Sequence, residues 1–221
     1  MEYPKFSVLM SVYYKEKPEY LEESLLSLLR QTVLPNEIVI VKDGKLTEQL
    51  EAVLTKFSLQ YPFIHCYGYE ENKGLGLALN YGVEKCQYDI IARMDSDDIS
   101  REDRFELQLK VLLEKNVDLL GSNTKEFIDT IDNVQSTRIM PENHEAILNY
   151  SKTRNPFVHP SIMTYKEVIL SAGNFKNFYL CEDYDMWVRI LEKGYKAYNI
   201  QDVLVYMRVG KDFYKRRGGL K

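Results

Sequence analysis

At 221 residues the chain is long enough for one large domain, or for two halves that share a sheet. It is 45% hydrophobic and 28% charged, the balance of a globular protein with its own core, and its net charge of -4 speaks against a nucleic-acid partner. Cys66, Cys86 and Cys181 are odd in number, scattered and without a Cys-x-x-Cys pair, which argues for a reducing compartment and against a disulfide framework or a zinc site. His65, His144 and His159 are too dispersed to form a histidine metal cluster. No apolar run reaches bilayer-spanning length and Met1 to Lys5 leads straight into a strand-like run, so the expectation is a cytoplasmic protein without a signal peptide.

The first half alternates strands and helices. Phe6 to Val12, Glu37 to Val41, Ile64 to Tyr69 and Ile90 to Met94 read as strands, and all but the third are almost continuously apolar, as strands buried on both faces are. Leu21, Leu25, Leu28 and Leu29 repeat at helical spacing behind Pro18, as do Leu46, Leu50, Val53 and Leu54, and then Phe105, Leu109, Leu112 and Leu113. Strands alternating with helices imply βαβ units and an α/β fold with a mostly parallel sheet. The second half is less regular. Leu119 to Asp129 reads as one or two strands, His144 to Tyr150 as a short helix, and Thr153 to Pro160 as a loop. A helix follows Glu182-Asp183 with Trp187, Ile190 and Leu191 on one face and stops near Gly194; Tyr195 to Asn199 and Val203 to Val209 are candidate strands. Neither a repeat nor a flexible linker interrupts the chain, so one domain is expected over residues 1–221. The end, residues 211–221, is basic and abrupt, leaving open that the chain is a piece of a longer protein.

The chemistry concentrates in a few places. Asp95, Asp97 and Asp98 stand just beyond the C-terminal end of a buried strand, the edge where open α/β sheets bind ligands. Asp95 and Asp97, two apart in a turn, can converge on one hard cation such as Mg²⁺ or Mn²⁺ and leave room for a diphosphate; the alternative is an ordinary acidic turn before a helix. Asp43-Gly44 ends the second strand, where a carboxylate can accept hydrogen bonds from a nucleoside or simply close a turn. Asn72-Lys73-Gly74-Leu75-Gly76 fails as a dinucleotide fingerprint, because the third glycine would fall at Leu79, yet it can still approach a ligand closely at a helix start. Glu182, Asp183 and Asp185 crowd a helix N-terminus, where acidic residues complement the macrodipole and where one can also serve as a general base.

In this order the motifs resemble the family 2 glycosyltransferases of GT-A fold, over nearly the whole chain. Ser7 to Tyr14 looks like the family's opening strand, with Ser11 where members usually carry proline and Tyr14 where they carry asparagine. Ser24 to Thr32 looks like the helix before the second strand, Asp43-Gly44 like the nucleoside-binding aspartate, and Asn72-x-Gly74 with Ala78-Leu79-Asn80 like the third helix start. Asp95-Ser96-Asp97 resembles the metal-binding triplet and Glu182-Asp183 the pair whose aspartate is the catalytic base. The stretch Ala92 to Ser100, with His159-Pro160-Ser161, is most similar to bacterial members that build capsular, exo- or lipopolysaccharide. Many members carry a histidine after a Tyr-x-Arg-x segment on the last strand; here Tyr206-Met207-Arg208-Val209 is followed by Gly210.

The resemblance implies a GT-A sheet with a Rossmann-like nucleotide half, residues 1–98, fused to a smaller acceptor half, residues 99–210, and the tail 211–221. It implies an inverting transfer from a UDP-sugar to a glycan or lipid-linked acceptor, with Asp97 and Asp95 holding Mg²⁺ or Mn²⁺ and Asp183 as base. Asp43, with backbone groups around Val12 and Tyr13, would hold the nucleoside, and Asn72 and Gly74 would bind substrate at the third helix start. Arg93 would position the diphosphate or the aspartate turn, Glu182 would orient Asp183 or bind a sugar hydroxyl, and His159 would line the substrate site. Lys211, Lys215, Arg216, Arg217 and Lys221 suggest a peripheral contact with the inner face of the plasma membrane, a solvated tail being the plain alternative. Two rivals remain: a sugar-phosphate nucleotidyltransferase, disfavoured because Tyr13 to Pro18 lacks a glycine-rich loop, and a non-catalytic nucleotide-sugar-binding protein of the same fold.

Overall fold

Strand β1, Phe6–Val12, turns Phe6, Val8, Met10 and Val12 to one face of the sheet and Leu9 to the other, and every one of these side chains is buried. The computed structural model describes residues 3–210; the basic tail lies outside the described residues. After β1 come α1, Pro18–Leu29, β2, Glu37–Asp43, α2, Glu48–Gln60, β3, Ile64–Tyr69, α3, Leu75–Lys85, and β4, Ile90–Asp95. The strands β3, β2, β1 and β4 lie side by side and parallel, as the alternating βα pattern requires.

The rest of the chain extends this sheet. Ile99–Ser100 forms β5, Arg104–Lys115 α4, Leu119–Phe127 β6, Val134–Arg138 β7 and His144–Ser151 α5. A single 3₁₀ turn at His159–Ser161 leads to β8, Met163–Tyr165, then α6, Lys166–Ser171, α7, Glu182–Glu192, and β9, Ala197–Arg208. The nine strands run β3-β2-β1-β4-β8-β6-β9-β5 with β7 on β6, and β8 is antiparallel to both β4 and β6.

Two apolar layers clamp the sheet. Leu21, Leu25 and Leu28 of α1, Leu50 and Phe57 of α2, and Phe105 and Leu109 of α4 pack on the face that carries Val8 and Met10. Leu79 and Val83 of α3, Val168 and Ile169 of α6, and Met186, Trp187 and Ile190 of α7 pack on the face that carries Leu9 and Val39. None of the described helices is long and apolar enough to cross a membrane.

Where structure and sequence reading part, the reason is local. The two candidate strands at the C-terminus are one, because β9 runs through Gln201 and Asp202 by shifting register against Ser122 to Thr124 of β6. Strand β7, Val-Gln-Ser-Thr-Arg, carries no apolar alternation; β8 and α6 are only three and six residues long.

One residue ties α1 to the chain that follows β4. The buried Gln31 side chain donates to the carbonyls of Ser27 and Arg101, at 3.0 and 2.7 Å, and to the Ser100 hydroxyl at 3.2 Å, and accepts from the Phe105 N–H at 3.2 Å. Ser24 and Ser27 add bonds to the Asp95 carbonyl and from the Ser100 N–H. Gln31→Ala leaves several buried backbone groups unpaired and should destabilise the fold by about 1–3 kcal/mol in urea titration.

Candidate active site

The C-terminal ends of β1, β2 and β4 open onto a cavity of about 1010 Å³. Of the residues singled out above, Tyr13, Asp43, Asn72 and Gly74 line one side of it, Asp95 and Asp97 its floor, and Glu182 the far side. Val12, Arg93, His159 and Asp183 are not among the lining residues.

One wall is built around Asp43, at the last position of β2 and almost fully buried. Its carboxylate accepts from the Tyr69 hydroxyl at 2.9 Å, the Asn72 amide at 2.9 Å, and the Lys73 and Gly74 N–H groups at 2.8 and 3.1 Å. Asn72 also donates to the Asp43 carbonyl at 3.0 Å. Four donors on two oxygens make Asp43 the hub of the loop that opens α3; burial and the Asp43 carboxylate together raise the Tyr69 phenol. Gly74 caps α3 with φ of +92°, a backbone open to glycine at little cost.

The floor is a knot of carboxylates. Burial, and then Asp95 and Glu16, push Asp97 up to about 8; burial and then Asp97 hold the fully buried Asp98 well above the ordinary aspartate range. Glu16 reaches in from the loop after β1, accepts from the Ser96 hydroxyl at 2.7 Å, and is raised mainly by burial. Arg93, buried on β4, ion-pairs with Asp95 beneath the turn. Apart from that ion pair, its Nε and Nη2 find no hydrogen-bond acceptor among the described residues.

Arg208, at the end of β9, closes the turn from the other side. Its N–H donates to Asp98 at 2.8 Å, and its guanidinium donates to the carbonyls of Asp97 and Asp129 at 3.0 and 2.7 Å and pairs with Glu23. The same group lies 3.9 Å over the Tyr20 ring and 4.5 Å over that of Phe127. The sequence marks only the missing histidine in this segment; a single buried arginine at a strand end gives no local signal of its partners.

On the far side, the first turn of α7 separates its three acids. Glu182 borders the cavity, while Asp183 accepts from the Asn155 amide at 2.7 Å and from the Tyr184 N–H at 2.8 Å. Asp185 is committed to Arg189 at 2.7 Å, and Arg189 also holds the carbonyls of Ala172 and Asn174. Gly76 sits where a Cβ would collide with the Lys176 carbonyl and press on Glu182, so the chain before α7 rests directly on the start of α3. His159 lies behind this wall, its ring 5.9 Å from Phe175 and 5.8 Å from Trp187 in an aromatic cluster.

No group of three or more His, Cys, Asp and Glu side chains is gathered for a metal among the described residues. Two lining aspartates with a third carboxylate beside them still suit Mg²⁺ or Mn²⁺, which take one or two carboxylates and complete their shell with phosphate and water.

Residues 7–173 match the family described as Glycosyl transferase family 2. The chain belongs to glycosyl transferase family 2. A relative in Escherichia coli named UDP-Gal:alpha-D-GlcNAc-diphosphoundecaprenol beta-1,3-galactosyltransferase is 42% identical over 99% of this chain and 79% of its own length. The amylovoran biosynthesis glycosyltransferase AmsE of Erwinia amylovora is 39% identical over 97% of this chain and 80% of its own. Among solved structures, S. aureus TarS 1-349 in complex with UDP-GlcNAc superposes with a TM-score of 0.75 at 20% identity, over 94% of this chain and 59% of that one. A Pyrobaculum calidifontis mannosyltransferase in complex with GDP-Man and Mn2+ gives a TM-score of 0.75 at 18% identity, over 98% of this chain and 60% of that one. These likenesses establish the GT-A fold that the motifs implied.

In this family 2 chain two consequences of the geometry are measurable. Asp43→Ala removes the acceptor of four buried donors and should cost at least about 2 kcal/mol of stability in urea titration; an unchanged midpoint would show that these bonds do not hold the loop at 72–74. Asp97 carries a folded-state value above its unfolded one, so without bound cation the native state holds a proton that the unfolded chain releases. Stability should therefore fall as pH rises from about 4 to about 8, and Asp97→Asn should flatten that slope in melting curves.

Proposed function

We propose that this glycosyltransferase inverts the anomeric centre as it moves a sugar from a UDP-sugar to a glycan or lipid-linked acceptor of a bacterial surface polysaccharide, at the inner face of the plasma membrane. One observation carries the reading: the same cavity joins the Asp95–Asp97 turn to the first turn of α7. The names of the E. coli and E. amylovora relatives and the UDP-GlcNAc complex of TarS support the donor and the pathway class. Residues 1–98 serve the nucleotide and residues 99–210 the acceptor, within one domain.

In this reading Tyr13, Asp43, Asn72 and Gly74, with the backbone at Val12, hold the nucleoside, directly or by fixing the loop at 72–74. Asp97, with Asp95, would hold a Mg²⁺ or Mn²⁺ ion, which when bound would supply Lewis-acid stabilisation of the charge growing on the departing diphosphate. Arg93 positions Asp95. Asp183 takes the proton of the acceptor hydroxyl as that oxygen attacks the anomeric carbon from the face opposite the diphosphate, so inversion needs no protein nucleophile. His159 supports this wall from behind. A second reading gives the proton to Glu182, because that side chain borders the cavity while Asp183 is held by Asn155.

The test is UDP release from a panel of UDP-sugars with a synthetic acceptor, in Mn²⁺ and in excess EDTA, with the product's anomeric configuration read by NMR. Chelation should abolish turnover. Asp183→Asn should lower transfer by about two to four orders of magnitude with UDP affinity kept, and Glu182→Gln should be milder. The reverse order transfers the base to Glu182, and full activity in EDTA removes the metal.

A further inference from the structure

The chain just before α7 exposes three large apolar side chains in a row. Phe178, Tyr179 and Leu180 are 56%, 86% and 55% exposed, and Leu180 adopts φ of +63°, a left-handed backbone unusual for so bulky a residue. A turn bonded from the Cys181 N–H to the Phe178 carbonyl at 2.8 Å presents them outward. Singly exposed leucines need no explanation, but a contiguous apolar projection does.

Its position narrows what it meets. Tyr179 and Leu180 border the same cavity as Asp97 and Glu182, so whatever takes the apolar turn lies beside the reaction site. A projection this exposed is a wedge and has no walls to enclose a single chain. The same cavity is bordered by Tyr13, Lys15 and Lys17, with Glu16 between the lysines turned to Ser96 and Tyr14 exposed beside them, and Lys176 precedes the turn itself in sequence. On a chain of net charge -4, lysines and tyrosines gathered at one opening form the combination that suits an anionic headgroup layer over hydrocarbon.

We propose that the cavity mouth is a membrane-docking surface: Phe178, Tyr179 and Leu180 sink into an anionic phospholipid bilayer while Lys15, Lys17 and Lys176 meet its headgroups. The inference rests on the proposed function only in that the acceptor is lipid-borne. Docked this way, the opening faces the membrane plane and a lipid-linked acceptor reaches Glu182 and Asp183 without leaving the bilayer. The proposal assigns the docking to this surface and not to the charges of residues 211–221.

The test places a reporter at the tip. Trp187 is the chain's single tryptophan and is buried, so the full-length Phe178→Trp variant adds one exposed indole. With vesicles of phosphatidylcholine and phosphatidylglycerol bearing brominated acyl chains, its emission should shift to the blue and be quenched, while wild-type Trp187 is not. Phe178→Asp should weaken vesicle partitioning about tenfold or more and leave UDP affinity unchanged, since Phe178 does not line the cavity. Changing Lys211, Lys215, Arg216, Arg217 and Lys221 to Gln should leave the quenching in place. An unquenched indole in the Phe178→Trp variant, quenching that disappears with the tail charges, or equal binding to pure phosphatidylcholine each overturns the proposal. Quenching without UDP release from any UDP-sugar would sink the proposed donor and leave the docking surface standing.

Discussion

The site depends on a concentration of carboxylates that the two arginines beside it only partly offset. Asp95, Asp97, Asp98 and Glu16 meet where β4 leaves the sheet, and three of the four are held above their ordinary range, burial being the largest cause each time. Like charges crowded in a low-dielectric pocket are costly, and a protein keeps such an arrangement only when something binds there or when the scaffold forces it. The scaffold does force it: Ser24 holds the Asp95 carbonyl, Gln31 anchors the following segment, Arg93 pairs with Asp95 from beneath, and Arg208 grips Asp97 and Asp98 from the side. The folding free energy of the sheet and its two apolar layers thus maintains a turn that would relax in isolation.

The two walls of the cavity are mechanically joined through α3. Asp43 draws the Asn72–Gly74 loop onto the end of β2, and that loop starts α3; two residues on, Gly76 lets the Lys176 carbonyl rest against the helix beside Glu182. A change at Asp43 therefore propagates through a few rigid contacts to the start of α7. Asp185 and Arg189 pin the other flank of α7 to the carbonyls of Ala172 and Asn174. The spacing between the Asp43 wall and the acidic helix start is set by packed backbone, and the side chains that line the cavity inherit their positions from it.

How much of this is legible in the sequence follows from how local each signal is. Strands β1, β2 and β4 are buried on both faces, and their continuous apolar runs announce them; α1, α2 and α4 announce themselves by leucines at helical spacing. Asp95 and Asp97 are legible because two carboxylates after a buried strand are a local pattern. Arg208 and Gln31 are not, since their partners lie as far as 185 and 74 residues away in sequence. Asp43 is legible as a strand-ending carboxylate, but its four donors belong to β3 and the start of α3, so a residue read as a ligand group proves to be bonded first to its own chain. His159 looks like a site residue by its company in sequence, whereas in space it is one ring among Phe175 and Trp187.

Arg208 stands two residues before Gly210, the position where the family pattern leads one to look for histidine. A guanidinium has five donors and no lone pair, so it cannot ligate a cation. Each of its nitrogens is already bonded, to the Asp97 carbonyl, the Asp129 carbonyl and Glu23, and its plane is stacked between Tyr20 and Phe127. Such a group cannot swing toward substrate. What it supplies is a fixed positive charge, one that lowers the cost of ionising Asp97, together with a geometric stop for the turn. A histidine would lend a ligand lone pair; the arginine lends none. In the proposed reaction the cation would then take its remaining oxygens from the diphosphate and water, so its place in the site would be defined as much by the donor as by the protein.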